Sequence, residues 1–307
     1  DIITNNQGCA IYNNGNSEVR ITDGNISSLE NYAGTAVITG GVIENTYTVG
    51  LNNMANATIV GGNISGIINN TTNGNIVIKG GNIIPKVSNM NAIANYGTMI
   101  IEGGNILTEN TSAGYGIVNQ QNATLTVKGG NISSSSSYGI YNNGTLTLGE
   151  NEGNEPNTEV PNISGATYGI HNQNIFNYYD GKITGGELAI SGTITAIPDN
   201  YEVKYSDTQK TAKLGLIGSF EGTILVGETY YDSLETAIGI ISNTSTKNGT
   251  IHICGEVNNI SKEITIPEGA NITIELQGNS ITFKDVEVGI TNNGTLKLVD
   301  YEDINSG

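Results

Sequence analysis

The pattern Tyr138-Gly-Ile-Tyr-Asn-Asn-Gly-Thr-Leu-Thr-Leu148, with its echoes, constrains this chain more than any other feature. Variants recur before and after it, usually followed by Gly-Gly-Asn-Ile, as at residues 61–64, 80–83, 103–106 and 129–132. Tyr138, Ile140 and Asn142 alternate with Gly139 and Tyr141, and a period of two predicts a strand with the first three on its buried face. Asn142-Asn143-Gly144 then turns the chain, because these residues tolerate left-handed backbone. Thr145-Leu-Thr-Leu148 reads as a second strand, apolar on one face and hydroxylated on the other. In most units a Gly-Gly pair turns the chain again into a third. Three short strands cannot bury an apolar face by themselves, whereas stacked units bury a continuous core.

The interval between equivalent Ile or Val positions varies from about 17 to 31 residues. Leucine-rich repeats and propeller blades hold their period and carry fixed signatures, which are missing here. A coil of three registered strands, one of whose bends varies in length, accommodates such scatter. The expectation is therefore an all-β, right-handed parallel β-helix of about nine coils, roughly 43 Å long at about 4.8 Å per rung. No amphipathic helical run of useful length occurs before residue 230. Asn13, Asn52, Asn69, Asn95, Asn119, Asn142 and Asn172 stand at the bend of successive units. Stacked rung on rung, each amide would donate to the next carbonyl and leave no buried polar group unpaired.

The repeated Ile-x-Asn-x-Gly-Thr-Leu-x-Ile…Gly-Gly-x-Ile pattern, over residues 8–197, resembles the parallel β-helix repeat regions of large Gram-positive surface proteins in the pectin-lyase-like superfamily. The resemblance implies the fold and an adhesin-like, secreted or cell-surface setting. It specifies no activity.

Residues 1–197 form the predicted β-helix, and after Ile197 the pattern breaks. Residues 198–227 read as a hairpin cap or linker, with Lys204, Lys210 and Lys213 suited to an edge that must not pair with another chain. Residues 228–307 begin again: Asp232-Ser-Leu-Glu235 resembles a helix start capped by its acid, and Leu234, Ala237, Ile238 and Ile241 share a helical face. Short strands follow, and Gly289-Ile-Thr-Asn-Asn-Gly-Thr-Leu-Lys-Leu298 restates the Tyr138 unit, as the first coils of a second β-helix would. With no start Met, secretory leader, membrane span or anchoring tail, residues 1–307 read as a piece of a longer multi-module chain.

A net charge of −17 makes nucleic acid a poor partner, since phosphates are repelled. Cys9 and Cys254 give neither a disulfide framework nor zinc spacing. The superfamily's lyases and hydrolases need converging carboxylates, or calcium with a basic residue. Here no two consecutive units place acids at the same rung position, and Arg20 is the only arginine. The sequence therefore points away from an enzyme and implies no cofactor. Glu150, Glu152 and Glu155, in an Asn/Gly/Pro-rich insertion, are the set that a calcium ion would use. Tyr141 and His171, outward on adjacent rungs, are the candidate glycan contacts. Lys79, Glu102 and Lys128 share a repeat position and read as alternating surface charges. Three roles stay open: an adhesin-like module contacting host or bacterial glycans or surface proteins, a carbohydrate-active β-helix, and a spacer or fibre subunit that associates end to end.

Overall fold

Short runs of alternating Ile, Leu and Val, punctuated by Asn and Gly, pair in register rather than fold back on themselves. The structure, a computed structural model, describes residues 2–5, 8–45, 49–86, 90–109, 114–151, 155–206, 209–216, 224–227, 229–231, 233–255 and 257–300. The chain forms a parallel β-solenoid, with one short helix among the described residues, and divides into two compact units. The first comprises Asp1–Val203 with Lys210–Leu214, the second Lys204–Gln209 with Gly215–Gly307.

In the first unit each turn contributes one strand to each of three sheets. Ile117–Asn119, Thr124–Val127 and Asn131–Ser134 make one such turn, and Ile140–Asn142 starts the next, pairing parallel with Ile117–Asn119. The sheet of Asn-ended strands has nine members, from Ile11–Asn13 to Leu188–Ser191. The Thr-rich sheet has eight, from Glu18–Ile21 to Ile175–Tyr178. Every second side chain of a turn points inward: Ile117, Leu125, Val127 and Ile132 are all fully buried. Each such side chain contributes about 1.5–3 kcal/mol relative to an exposed one, which is what binds rung to rung.

The Gly-Gly bend has two separate causes. At Gly103 a side chain would run into the Lys79 carbonyl of the previous rung, 2.8 Å from its Cβ position. Gly104 takes φ +96°, which L side chains rarely adopt. One glycine answers crowding and the other answers backbone conformation.

Thr211–Leu216 runs antiparallel beside Lys182–Gly185, with Ile183 opposite Ala212. Among the described residues, three strands fall in the span 198–227 read as a hairpin cap or linker: Tyr201–Ser206, Thr211–Leu216 and Ile224–Val226.

The second unit carries three parallel strands, Asn248–Ile253, Asn271–Glu275 and Thr295–Val299. Helix α1 (Leu234–Ser242) covers its core with Leu234, Ala237, Ile238 and Ile241 against Ile251, Ile253, Ile264 and Ile266. Its N-cap is Ser233, whose hydroxyl accepts from the Thr236 N–H, in place of the expected Asp232, which lies outside the described residues. The two units together make about twelve turns. The expectation of about nine counted the first unit alone.

Candidate binding face: stacked rings beside an asparagine ladder

The corner of each turn in the first unit is held by one buried amide. Asn13 donates through Nδ2 to Asn31 Oδ1 at 2.7 Å, Asn31 to Asn53 at 2.8 Å, and Asn53 to Asn70 at 3.0 Å. The chain continues from Asn70 to Asn95, Asn119 and Asn142, each step 2.8 Å, and ends at Asn172 at 2.6 Å. All seven bonds point the same way. Further Nδ2 contacts close the bends, as from Asn119 to the Thr145 carbonyl at 3.0 Å.

Asn52 and Asn69 are not in this ladder. Asn53 and Asn70 take those places, and Asn31, which the sequence reading omits, supplies another rung. The reason is parity. Leu51 and Ile68 point inward, so the residue two further on does too, and Asn52 and Asn69 face outward. There Asn69 donates to Asn52 at 2.8 Å on the partly exposed face. A second, exposed amide row, from Asn131 through Asn105 and Asn82 to Asn63, runs along the Gly-Gly-Asn strands at 2.9–3.0 Å. The expectation of one structural Asn per turn did not foresee it.

The outward column of the Asn-ended sheet runs Tyr12, Glu30, Asn52, Asn69, Ala94, Val118, Tyr141, His171 and Ser191. Tyr141 and His171 thus lie on adjacent rungs, ring centroids 5.5 Å apart. They belong to a larger group. Tyr115, Tyr138 and Tyr168, placed on the core face by strict alternation, are also outward and half-buried. Glycine shifts the parity. Gly139 and Ile140 are both buried, as are Gly169 and Ile170, so the chain steps inward for two residues running. A Cβ on Gly169 would lie 2.5 Å from Ile183 Cγ2, so a residue with a side chain could not make this step.

The result is five stacked rings over three rungs. Tyr115 and Tyr138 are 5.0 Å apart and Tyr138 and Tyr168 5.1 Å, with interplanar angles of 15° and 17°. Tyr141 stacks on Tyr115 at 5.5 Å, and His171 lies 5.1 Å from Tyr138. Such pairs contribute about 0.5–1.5 kcal/mol each beyond the area they bury. The polar rim is tied down: Tyr141 Oη donates to Gln173 Oε1 at 2.9 Å, Gln173 Nε2 lies 3.1 Å from His171 Nε2, and His171 Nδ1 lies 3.1 Å from Ser191 Oγ. Burial, then the Tyr115 and Tyr168 phenols and the Glu187 carboxylate, push the Tyr138 hydroxyl above the usual phenol range. It therefore remains a donor at neutral pH.

The acidic insertion is arranged differently. Glu150 pairs with Lys128 and Glu159 with Lys213, Glu155 is exposed, and Glu152 lies outside the described residues. The Asp180 carboxylate instead holds the loop, accepting from the backbone N–H groups of Glu150 at 3.2 Å and Asn157 at 2.6 Å. Among the described residues no three His, Cys, Asp or Glu side chains gather as a metal site would require. Lys79 and Glu102 form a surface pair at 3.4 Å. Cys9 and Cys254 are free thiols, each raised above its ordinary pKa chiefly by burial.

Fold and face together define a parallel β-solenoid with an aromatic column on one outer sheet. No protein-family model matches the chain, and no curated protein or solved structure is significantly similar to it. Among the described residues no helix is long and apolar enough to cross a membrane.

Proposed function

We propose that the chain is a non-enzymatic, secreted or cell-surface β-helix module, an adhesin-like segment of a larger bacterial protein, and that the ring column is its glycan-contacting face. The resemblance of the repeats to Gram-positive surface β-helices of the pectin-lyase-like superfamily supports the setting. The observation that carries the binding role is the outward group of Tyr115, Tyr138, Tyr141, Tyr168 and His171. Aromatic side chains present an apolar body with a polar tip, which suits the alternating C–H and hydroxyl surface of a sugar.

A glycan array on the full chain, run beside a reducing-sugar release assay, tests this reading. Binding without release is the expected result, and Tyr141→Ala with His171→Ala should weaken it. Release of reducing ends would make the chain a carbohydrate-active enzyme. Silence in both assays would leave a spacer.

A further inference from the structure

The stacking decides which part of each ring a ligand can meet. With centroids 5.0 and 5.1 Å apart and planes within 17° of parallel, Tyr115, Tyr138 and Tyr168 cover one another's faces. What remains for a ligand is their rims. Among the described residues none of the three hydroxyls has a hydrogen-bond partner, and no buried side-chain oxygen or nitrogen lacks one. The three hydroxyls therefore reach solvent, one per rung, as a comb running along the solenoid axis at the ring spacing. That spacing is close to the length of one pyranose residue in an extended chain. Beside the comb lies a carboxylate, that of the exposed Glu187, whose backbone N–H is fixed to the Thr167 carbonyl at 2.8 Å and whose neighbour Leu188 is in register with Tyr168. An anion laid along the comb would meet that charge and a chain of net charge −17.

We infer that the ring column takes an extended, uncharged glycan lying parallel to the solenoid axis, one sugar residue per rung across Tyr115, Tyr138 and Tyr168, and turns acidic glycans away. This rests on the glycan reading above and adds to it the ligand's length, direction and charge. Contacts repeated once per rung make affinity grow with chain length until three rungs are filled. Each sugar then adds little more.

Calorimetric titration of the full chain with linear glucan, mannan and chitin oligosaccharides of one to six residues provides the test, with oligogalacturonides as the acidic series. At least one neutral series should gain about tenfold or more in affinity from one residue to three, and level off beyond about four. Oligogalacturonides should bind about tenfold more weakly at low salt, and Glu187→Gln should narrow that gap. Tyr138→Phe keeps the ring and the stack, so thermal unfolding should not move. It should weaken the trisaccharide about two- to tenfold, the equivalent of one neutral hydrogen bond. Affinity independent of length, or a preference for the acidic series, would overturn the inference while leaving glycan binding in place. No binding by any series would remove both.

Discussion

The two units close the same corner with different chemistry. In the first, Asn119 precedes a bend in which the Ala123 N–H donates to the Gln120 carbonyl at 3.0 Å and Asn122 takes φ +67°. In the second, Ile266 precedes a bend in which the Ala270 N–H donates to the Pro267 carbonyl at 3.1 Å and Gly269 takes φ +76°. The backbone turn is shared. The buried side chain is an amide in one and an isobutyl-sized hydrocarbon in the other, and both are fully buried. Number of rungs accounts for the difference. An amide in a stack gives its N–H to the next rung and receives one from the last, so only the end members of a row of eight need other partners. Ile266 pairs with one rung only, that of Asn292, so an amide there would bury groups with too few partners. A polar ladder is stable when long; in the short stack the buried rung is closed with hydrocarbon at Ile266, and an amide returns only at the exposed Asn292 of the next rung, whose Oδ1 accepts from the Gly294 N–H at 3.1 Å.

Exchanging the two corners tests this most severely. Ile266→Asn should destabilise the second unit by about 3 kcal/mol, since it removes core contacts and buries an amide with one potential partner. Asn119→Leu should cost the first unit about 2 kcal/mol. It leaves the Asn95 amide without one of its acceptors and the Thr145 carbonyl without its side-chain donor, although Asn95 also reaches the carbonyls of Gly97 and Thr124. Denaturant unfolding followed by hydrogen exchange, to assign the loss to a unit, measures both. An Asn119→Leu variant as stable as the parent would mean that the amide row sets register without stabilising it, and the contrast between the units would fail.

Much of this architecture was legible because one physical rule was repeated many times. Strands of three to five residues with Asn-Gly bends have few ways to bury their apolar face, and stacking is the one that tolerates uneven spacing. The errors came where a single residue changed the local parity. Asn52 and Asn53 are chemically identical, and only counting two residues on from the buried Leu51 separates them. Strict alternation through Gly139 puts Tyr138 inside, whereas the missing side chain lets the strand step inward there and leaves the ring outside. The ring column was for that reason only partly visible, as Tyr141 and His171, without the three tyrosines that complete it. A glycine immediately before the buried Ile was the signal available in the sequence. Ile266 gives no such signal, because Pro267-Glu268-Gly269 replaces the Asn-Gly bend of the first unit and the corner residue itself is not Asn.

Removing the helix cap sharpens the comparison at smaller amplitude. Ser233→Ala deletes the hydroxyl that accepts from the Thr236 N–H at 3.1 Å and should cost about 1 kcal/mol. Because α1 covers the short stack of the second unit, increased hydrogen exchange should be confined to that unit, at Ile251, Ile253 and Ile264 as well as in the helix. A loss restricted to the helix itself would mean that the apolar corner holds without its cover.

The smallest effect separates the ladder from the charges beside it. Side-chain amides do not titrate, so the corner of the first unit should hold its strength from neutral pH to acid. Lys213, on the antiparallel strand beside the last rung, pairs with Glu159, and that hydrogen bond holds the Glu159 carboxyl below its ordinary pKa, opposed by burial and assisted by the charges of Lys213 and Lys182. A lowered folded pKa contributes stability that is present above the unfolded value and is lost as pH falls through the folded one. The Glu159 side chain is 62% exposed, so screening reduces the contribution to a few tenths of a kcal/mol. The stability difference between the parent and Lys213→Met should therefore be of that size at pH 7 and fade as pH falls through the lowered folded pKa of Glu159, while the deficit of Asn119→Leu stays constant across the same range. An Asn119→Leu deficit that shrank in step with the Lys213→Met difference would tie the ladder to the charge pair, and the corner could no longer be credited to amide stacking alone.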